Sequence, residues 1–166
     1  MSELDQAELK RLFEYNPATG VFARLVTTAP ALAGSEAGTV SKGGYRQIQI
    51  QGARYYAQRL AWLYTFGRWP IGQIDHINGD KSDNRIENLR EVTHAENGKN
   101  QKRSCANTSG VTGVSRHKRA SKWQARINAD GVEKHLGLFV NKQDAVEARQ
   151  AAEVKFGYHE NHGRAA

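Results

Sequence analysis

Residues 74–80 read Ile74-Asp75-His76-Ile77-Asn78-Gly79-Asp80, and with Asn88 and Asn97 downstream they form the stretch on which the fold turns. Gln73 to His76 predicts a short strand end, and Asn78-Gly79 is a strong turn dipeptide. Asn88 to Val92 predicts the returning strand. Thr93 then opens a helix, with Glu96 three residues on completing a capping box, and that helix carries Asn97 one turn in. Strand, loop, strand and helix in this order are expected to bring Asp75 and the Asn97 side chain into one small cleft. A hard divalent cation takes oxygen ligands such as Asp and the Asn carbonyl. A neighbouring imidazole can deprotonate an attacking water. The residue types are those that metal-dependent cleavage of a phosphodiester needs.

Outward from this centre, the N-terminal side predicts small elements. Residues 3–14 read as a helix, with Leu9, Leu12 and Phe13 at helical spacing. Asn16 to Gly20 is a turn, Val21 to Val26 a strand, and Thr27 to Gly38 irregular. Ile48 and Ile50 alternate with Gln47, Gln49 and Gln51, the period of a strand with one wet face. Gln51-Gly52 turns the chain into a partner strand through Tyr55 and Tyr56. Arg59 to Phe66 reads as a helix stopped by Gly67 and Pro70.

Residues 98–112 are polar and basic without periodicity, a linker able to order along a DNA groove. Strands are expected over 113–117, 122–128 and 132–139, with Asp130-Gly131 as the hairpin signal between the last two. Trp123, Ala125 and Ile127 give one strand face that is apolar; Lys122, Gln124, Arg126 and Asn128 give one that is basic and hydrogen-bonding. Glu133 and His135 continue the polar face. Asn141 is expected to cap a last helix in which Ala145, Ala148 and Ala152 form a flat face.

Charge by itself fits a nucleic-acid partner and a merely solvated basic surface about equally, and the motifs decide between them. The 166-residue chain carries a net charge of +7, unevenly spread. Residues 71–100 hold 4 basic against 6 acidic side chains, whereas residues 101–135 hold 8 against 2. An acidic centre suited to a cation thus adjoins a basic segment suited to phosphate. The single Cys105 excludes an internal disulfide and a multi-cysteine zinc cluster, and it reads as a reduced linker residue. No apolar run of about 18 residues predicts a membrane span. The opening Ser2-Glu3-Leu4-Asp5 does not resemble a signal peptide.

The stretch IDHINGDKSDNRIENLREVTHAEN resembles the motif of HNH endonucleases, in the version found in phage and intron-encoded homing nucleases. The resemblance covers about residues 45–100 and implies a ββα-metal nuclease domain. It further implies that Asp75 ligates the metal, His76 is the general base, Asn88 holds the loop and His76 in position, and Asn97 completes the metal site. Mg²⁺ or Mn²⁺ is the implied cofactor. Many relatives carry His before the Arg-Leu-x-Trp stretch, where this chain has Gln58. Arg85 and Arg90 are candidates to steady the phosphate; pairing with Asp80, Asp83 or Glu91 is the equal alternative. His94 is expected to be exposed.

About residues 110–158, through Gly113-Val114, Lys122-Trp123, Leu136-Gly137-Leu138-Phe139 and the Ala-rich helix, are similar to the DNA-binding domain of plant ethylene-response transcription factors. That similarity implies three strands lying in the major groove. Arg116, Lys118, Arg119, Lys122, Gln124, Arg126, Asn128 and His135 are then the candidate DNA contacts. The combined expectation is an α+β chain: residues 1–100 a nuclease domain, 101–112 a basic linker, 113–158 a three-stranded antiparallel sheet packed on one helix, and 159–166 a tail. The expected partner is double-stranded DNA, met by a monomer in the cytoplasm of a bacterial or phage-infected cell. The rival expectation is a catalytically inactive DNA-binding transcriptional regulator.

Overall fold

A computed structural model describes residues 4–28, 31–100, 103–104, 106–129, 131–160 and 162–163. Glu3, Cys105 and Asp130, which carried sequence expectations, lie outside the described residues. Helices and small antiparallel sheets are mixed along the chain, as an α+β protein requires. The chain divides into two compact units, Met1–Val92 and Thr93–Ala166. The division falls after Val92, ahead of the boundary expected at residue 100.

In the first unit, α1 (Gln6–Leu12) starts at Asp5, whose side chain accepts from the Glu8 N–H. It is shorter than the sequence suggests. Phe13–Asn16 forms β1 instead of a continuing helix, because Phe13 and Tyr15 alternate with exposed neighbours and pair with β2 (Val21–Arg24). Aromatic residues at period two favour a half-buried strand. Phe13, Tyr15 and Tyr64 close around the fully buried Phe22. β3 (Thr39–Val40), β4 (Arg46–Ile50) and β5 (Ala53–Tyr56) form a three-stranded sheet. Its inner face buries Ile48 and Ile50 in the same core as Leu9, Phe22 and α2 (Ala57–Phe66). Gly67 ends α2 in the left-handed conformation.

β6 (Gln73–His76) and β7 (Leu89–Val92) make a two-stranded antiparallel ribbon, joined through a loop and a 3₁₀ turn at Ile86–Asn88. Asn88 therefore ends the turn rather than starting the strand. Glu91 fixes the ribbon's entry: its carboxylate accepts from the N–H groups of Ile71 and Gly72 and pairs with Arg68 at 2.8 Å.

In the second unit, α3 (His94–Gly98) opens with the Thr93–Glu96 capping box that the sequence predicts. β8 (Val114–Arg116), β9 (Trp123–Ala129) and β10 (Val132–Phe139) form a sheet in the order β10-β9-β8. α4 (Lys142–Lys155) buries Ala145 and Ala152, and Ala145 joins Val114 and Ala125 in one core. Asn141 occupies the N-cap without a side-chain capping bond. Arg149, almost wholly buried, crosses from α4 to donate to the Arg126 carbonyl at 2.8 Å and to Glu153 at 2.9 Å. Residues expected as linker are in part folded: Ser109 is buried and donates to Val111 O, and Asn107 donates to the same carbonyl. The expected tail also engages, since His159 N–H donates to Lys99 O.

Candidate active site of the nuclease unit

Asp75 and His76 close β6, and their neighbours come from the partner strand and the connecting loop. Antiparallel register sets Asp75 directly opposite Arg90 and His76 opposite Leu89. Arg90 Nε and Nη2 both donate to Asp75 Oδ2, at 3.0 and 2.8 Å. Of the two arginines weighed for phosphate contact, Arg90 therefore pairs with the candidate metal ligand itself. Arg85 takes the structural alternative, pairing with Asp83 and Glu87 at 2.8 Å each.

His76 is only 4% exposed. Its Nε2 lies 3.2 Å from Oδ1 of Asn84, which is 1% exposed. The Asn84 Nδ2 donates to Ser82 O at 3.1 Å, so its carbonyl oxygen faces the ring. An amide oxygen only accepts, and Nε2 must therefore carry the proton. The ring lone pair is then on Nδ1. Burial pushes the imidazole below its ordinary pKa of 6.5, with the Asn84 contact and the carboxylates of Asp75, Asp80 and Asp83 opposing that shift. The ring is thus neutral at neutral pH, the form a general base needs.

Asn84 is itself held from behind. Tyr15 Oη donates to Asn84 O at 2.7 Å. Gly20, with φ +73°, lies so close that an added Cβ would stand 2.5 Å from Asn84 C and Arg85 N. Only glycine fits both that conformation and that approach. The β1–β2 hairpin thereby sets the position of the amide that faces His76.

Asn88 spends its side chain on the loop. Its Oδ1 accepts from the Asn78 N–H at 3.0 Å and its Nδ2 donates to Asp83 O at 2.8 Å. This is the loop-holding half of the role expected of it. The amide that faces the His76 Nε2 belongs to Asn84, which sequence reasoning missed. The only local signal was its place in the Asp83-Asn84-Arg85 run, eight residues after His76. Gln58 is buried in α2, and its Oε1 has no hydrogen-bond partner among the described residues. Asn97 lies one turn into α3, in the second unit, and its role rests on motif position.

The donors fit a hard divalent cation. Asp75 offers a buried carboxylate whose Oδ2 accepts from the positively charged Arg90 guanidinium. A carboxylate oxygen is a donor of the kind Mg²⁺ or Mn²⁺ takes. Among the described residues, no group of three or more His, Cys, Asp or Glu side chains assembles as a metal cluster.

In the second unit the candidate DNA contacts divide. Lys118, Arg119, Lys122 and Asn128 are exposed. Arg116 is exposed too, donates to Ser121 O at 2.9 Å and lies over the Trp123 ring. Arg126 pairs with Glu133 at 2.9 Å, and His135 stands opposite it in the register. Gln124 departs from the expectation of a wet face: it is 7% exposed, and its Oε1 accepts from Arg126 Nη2 at 2.8 Å. A concavity of about 400 Å³ lies among Arg116, His117, Lys118, Arg119 and Arg126. His94 is exposed, as expected.

The arrangement is a buried Asp-His pair at the end of a β-ribbon, on a loop stapled by asparagines. The family model for HNH endonucleases matches residues 55–99. It is 37% identical over 71 residues to "Protein 3.8" of Escherichia phage T7, a match covering 42% of this chain and 59% of that protein. The chain thus spans about three fifths of the length of this curated relative. It is also similar to the solved structure described as "DNA binding and cleavage by the HNH homing endonuclease I-HmuI", with 22% identity and a TM-score of 0.47 over 98% of this chain and 96% of that one. Among the described residues, no helix is long and apolar enough to cross a membrane.

Proposed function

We propose that the chain is a site-specific DNA endonuclease of the homing type, with His76 as general base and a divalent cation, Mg²⁺ or Mn²⁺, held by Asp75 and Asn97. One observation carries this reading. Asp75 and His76 are adjacent and buried, and the His76 Nε2–H is spent on Asn84, within the segment that matches the HNH endonucleases. With its lone pair on Nδ1 and its ring neutral, His76 can take a proton from water. The water oxygen forms the new bond to phosphorus, and the bond to the 3′ oxygen breaks. That oxygen collects a proton from solvent, leaving a 3′-hydroxyl and a 5′-phosphate. When bound, the cation supplies Lewis-acid neutralisation of charge on the leaving oxygen.

The other residues position these groups. Arg90 orients the Asp75 carboxylate, Asn84 fixes the ring tautomer, and Asn88 holds the loop between the strands. The second unit is the DNA-binding module, similar to the ethylene-response domain. Arg116, Lys118, Arg119, Lys122, Arg126, Asn128 and His135 supply phosphate and base contacts. Gln124 supports Arg126 from within.

The test is cleavage of supercoiled plasmid with Mg²⁺ or Mn²⁺. The wild-type chain is expected to cut, and His76→Ala to abolish cutting while DNA binding persists. If the wild type leaves every DNA intact with either ion, the inactive DNA-binding regulator replaces this reading.

A further inference from the structure

α3 is too short to hold itself. It spans five residues, His94–Gly98, and an isolated helix of that length does not persist in water. The Thr93–Glu96 capping box secures its first turn. Its far end, where Asn97 and Lys99 lie, is fastened from 57 residues away. The fastening begins where α4 stops. Gly157, with φ +63°, reverses the chain there: its N–H donates to Val154 O at 3.3 Å, and the Tyr158 N–H donates to Glu153 O at 2.9 Å. These two bonds around a left-handed glycine form a Schellman motif.

The returning segment meets α3 in both directions. Lys99 Nζ donates to Phe156 O at 2.8 Å, and the His159 N–H donates to Lys99 O at 3.3 Å. Lys99 caps α3 and Phe156 caps α4, so each bond occupies a carbonyl at a helix end. The ammonium also sits at the negative end of the α4 dipole. Tyr158 ties the same segment to the sheet. Its hydroxyl donates to Asn128 O of β9 at 2.6 Å. The Arg149 guanidinium lies 4.9 Å and the Lys99 ammonium 5.9 Å from its ring centre, and the His162 ring meets it edge-on at 4.6 Å. Arg149 is almost wholly buried and bonded to Arg126 O, so the ring rests against a fixed group.

We propose that residues 156–159 hold α3 in its helical form, and that Tyr158 and Lys99 are positioning residues for Asn97. The segment matched by the HNH family model, residues 55–99, then lacks the groups that keep its own last helix folded. The module at the C-terminal end supplies them, and so takes part in building the metal site as well as in binding DNA. The proposal rests on the reading of Asn97 as a metal ligand, and the first of its two measurements omits the metal so that the two can fail separately.

Amide exchange of the full-length chain is followed by NMR, in EDTA and without DNA. The Asn97 and Lys99 N–H groups donate to Thr93 O and Glu96 O, and in wild type they are expected to exchange at least about twentyfold more slowly than in an unstructured chain. Tyr158→Ala loses the hydroxyl bond and both cation contacts, and is expected to remove most of that protection, about twentyfold. Tyr158→Phe, which keeps the ring, and Lys99→Met are each expected to speed exchange by about fivefold. The amides that pair β9 with β10 are expected to keep wild-type rates in all three variants. Mn²⁺ is then titrated into the same samples, and broadening of the Asn97 side-chain amide is read. With α3 open about half the time, Tyr158→Ala is expected to raise the half-broadening concentration at least about twofold. Unchanged α3 exchange in Tyr158→Ala overturns the proposal, as does equal acceleration of the β9–β10 amides in both Tyr158 variants. So does wild-type α3 exchange at unstructured rates. Faster α3 exchange with an unmoved Mn²⁺ midpoint overturns the positioning role. A wild-type Asn97 amide that Mn²⁺ does not broaden overturns the metal reading of Asn97, and the exchange rates still decide the fastening.

Discussion

Asn88→Ala deletes two hydrogen bonds from a side chain that is 6% exposed, and leaves the backbone around it in place. Ile77 N–H still donates to Asn88 O at 2.9 Å and Asn88 N–H to Arg85 O at 2.9 Å, so the ribbon and the 3₁₀ turn persist. What is lost is the tie between Asn78 N–H, Asn88 and Asp83 O. Two neutral hydrogen bonds contribute about 1 kcal/mol each after exchange with water. Asn78 is exposed and Asp83 half-buried, so water can reach the released groups and the orphan penalty stays small. The expected loss is about 2 kcal/mol. With a urea dependence of about 2 kcal/mol per molar, the unfolding midpoint of the first unit falls by about 1 M. Trp62 and Trp69 report it by fluorescence. The loop between the strands also loosens, and plasmid cleavage is expected to slow by about a hundredfold, the scale of a 1 Å misplacement. A midpoint shift under about 0.25 M would refute the staple, because the sum of two hydrogen bonds cannot be that small.

Tyr15→Phe removes one hydroxyl and its 2.7 Å bond to Asn84 O, with no change of shape. The orphaned carbonyl makes the cost about 1.5 kcal/mol, a melting-point drop of about 6–12 °C for a unit of this size, and a calorimetric drop under about 2 °C contradicts it. Asp83 is held down to about 2 by the Arg85 guanidinium that donates to it. A depressed carboxylate stabilises the fold above its unfolded value of about 3.9 and loses that contribution as pH falls toward about 2. Melting temperature between those limits is expected to fall less steeply in Asp83→Asn than in wild type, and parallel curves count against the pair. Arg90→Ala breaks an ion pair whose arginine is 32% exposed, so the loss is discounted from the buried case to about 2 kcal/mol. Because the variant also releases Asp75 Oδ2, millimolar Mg²⁺ is expected to raise its melting temperature more than that of wild type. An equal or smaller rise would show that Arg90 and the cation do not compete for that oxygen.

Several parts of this architecture are local enough to be legible without coordinates. The capping box at Thr93 and Glu96, the Asn78-Gly79 turn and the alternation of Ile48 and Ile50 with glutamines each follow from interactions within a few residues. Phe13 shows where such reading runs out. Its spacing from Leu9 and Leu12 fits a helix, yet pairing with Arg24 and packing on Phe22 make it a strand residue. Gln124 fits the wet side of an alternating strand, yet it is buried against Arg126. At Phe13 a contact farther along the chain outweighs the local period, and at Gln124 the neighbour two residues on covers a position the period leaves wet.

The order of residues alone determined that Asp75 and His76 adjoin at a strand end and that asparagines follow on a turn, since neighbours on one chain cannot be separated. Only the folded chain decided which groups these two side chains meet. Arg90 reaches Asp75 because the ribbon's register sets them opposite, and Asn84 reaches His76 because the β1–β2 hairpin presses against its backbone. A hydrogen bond depends on a few tenths of an ångström, and spacing along a flexible loop does not fix distances of that size.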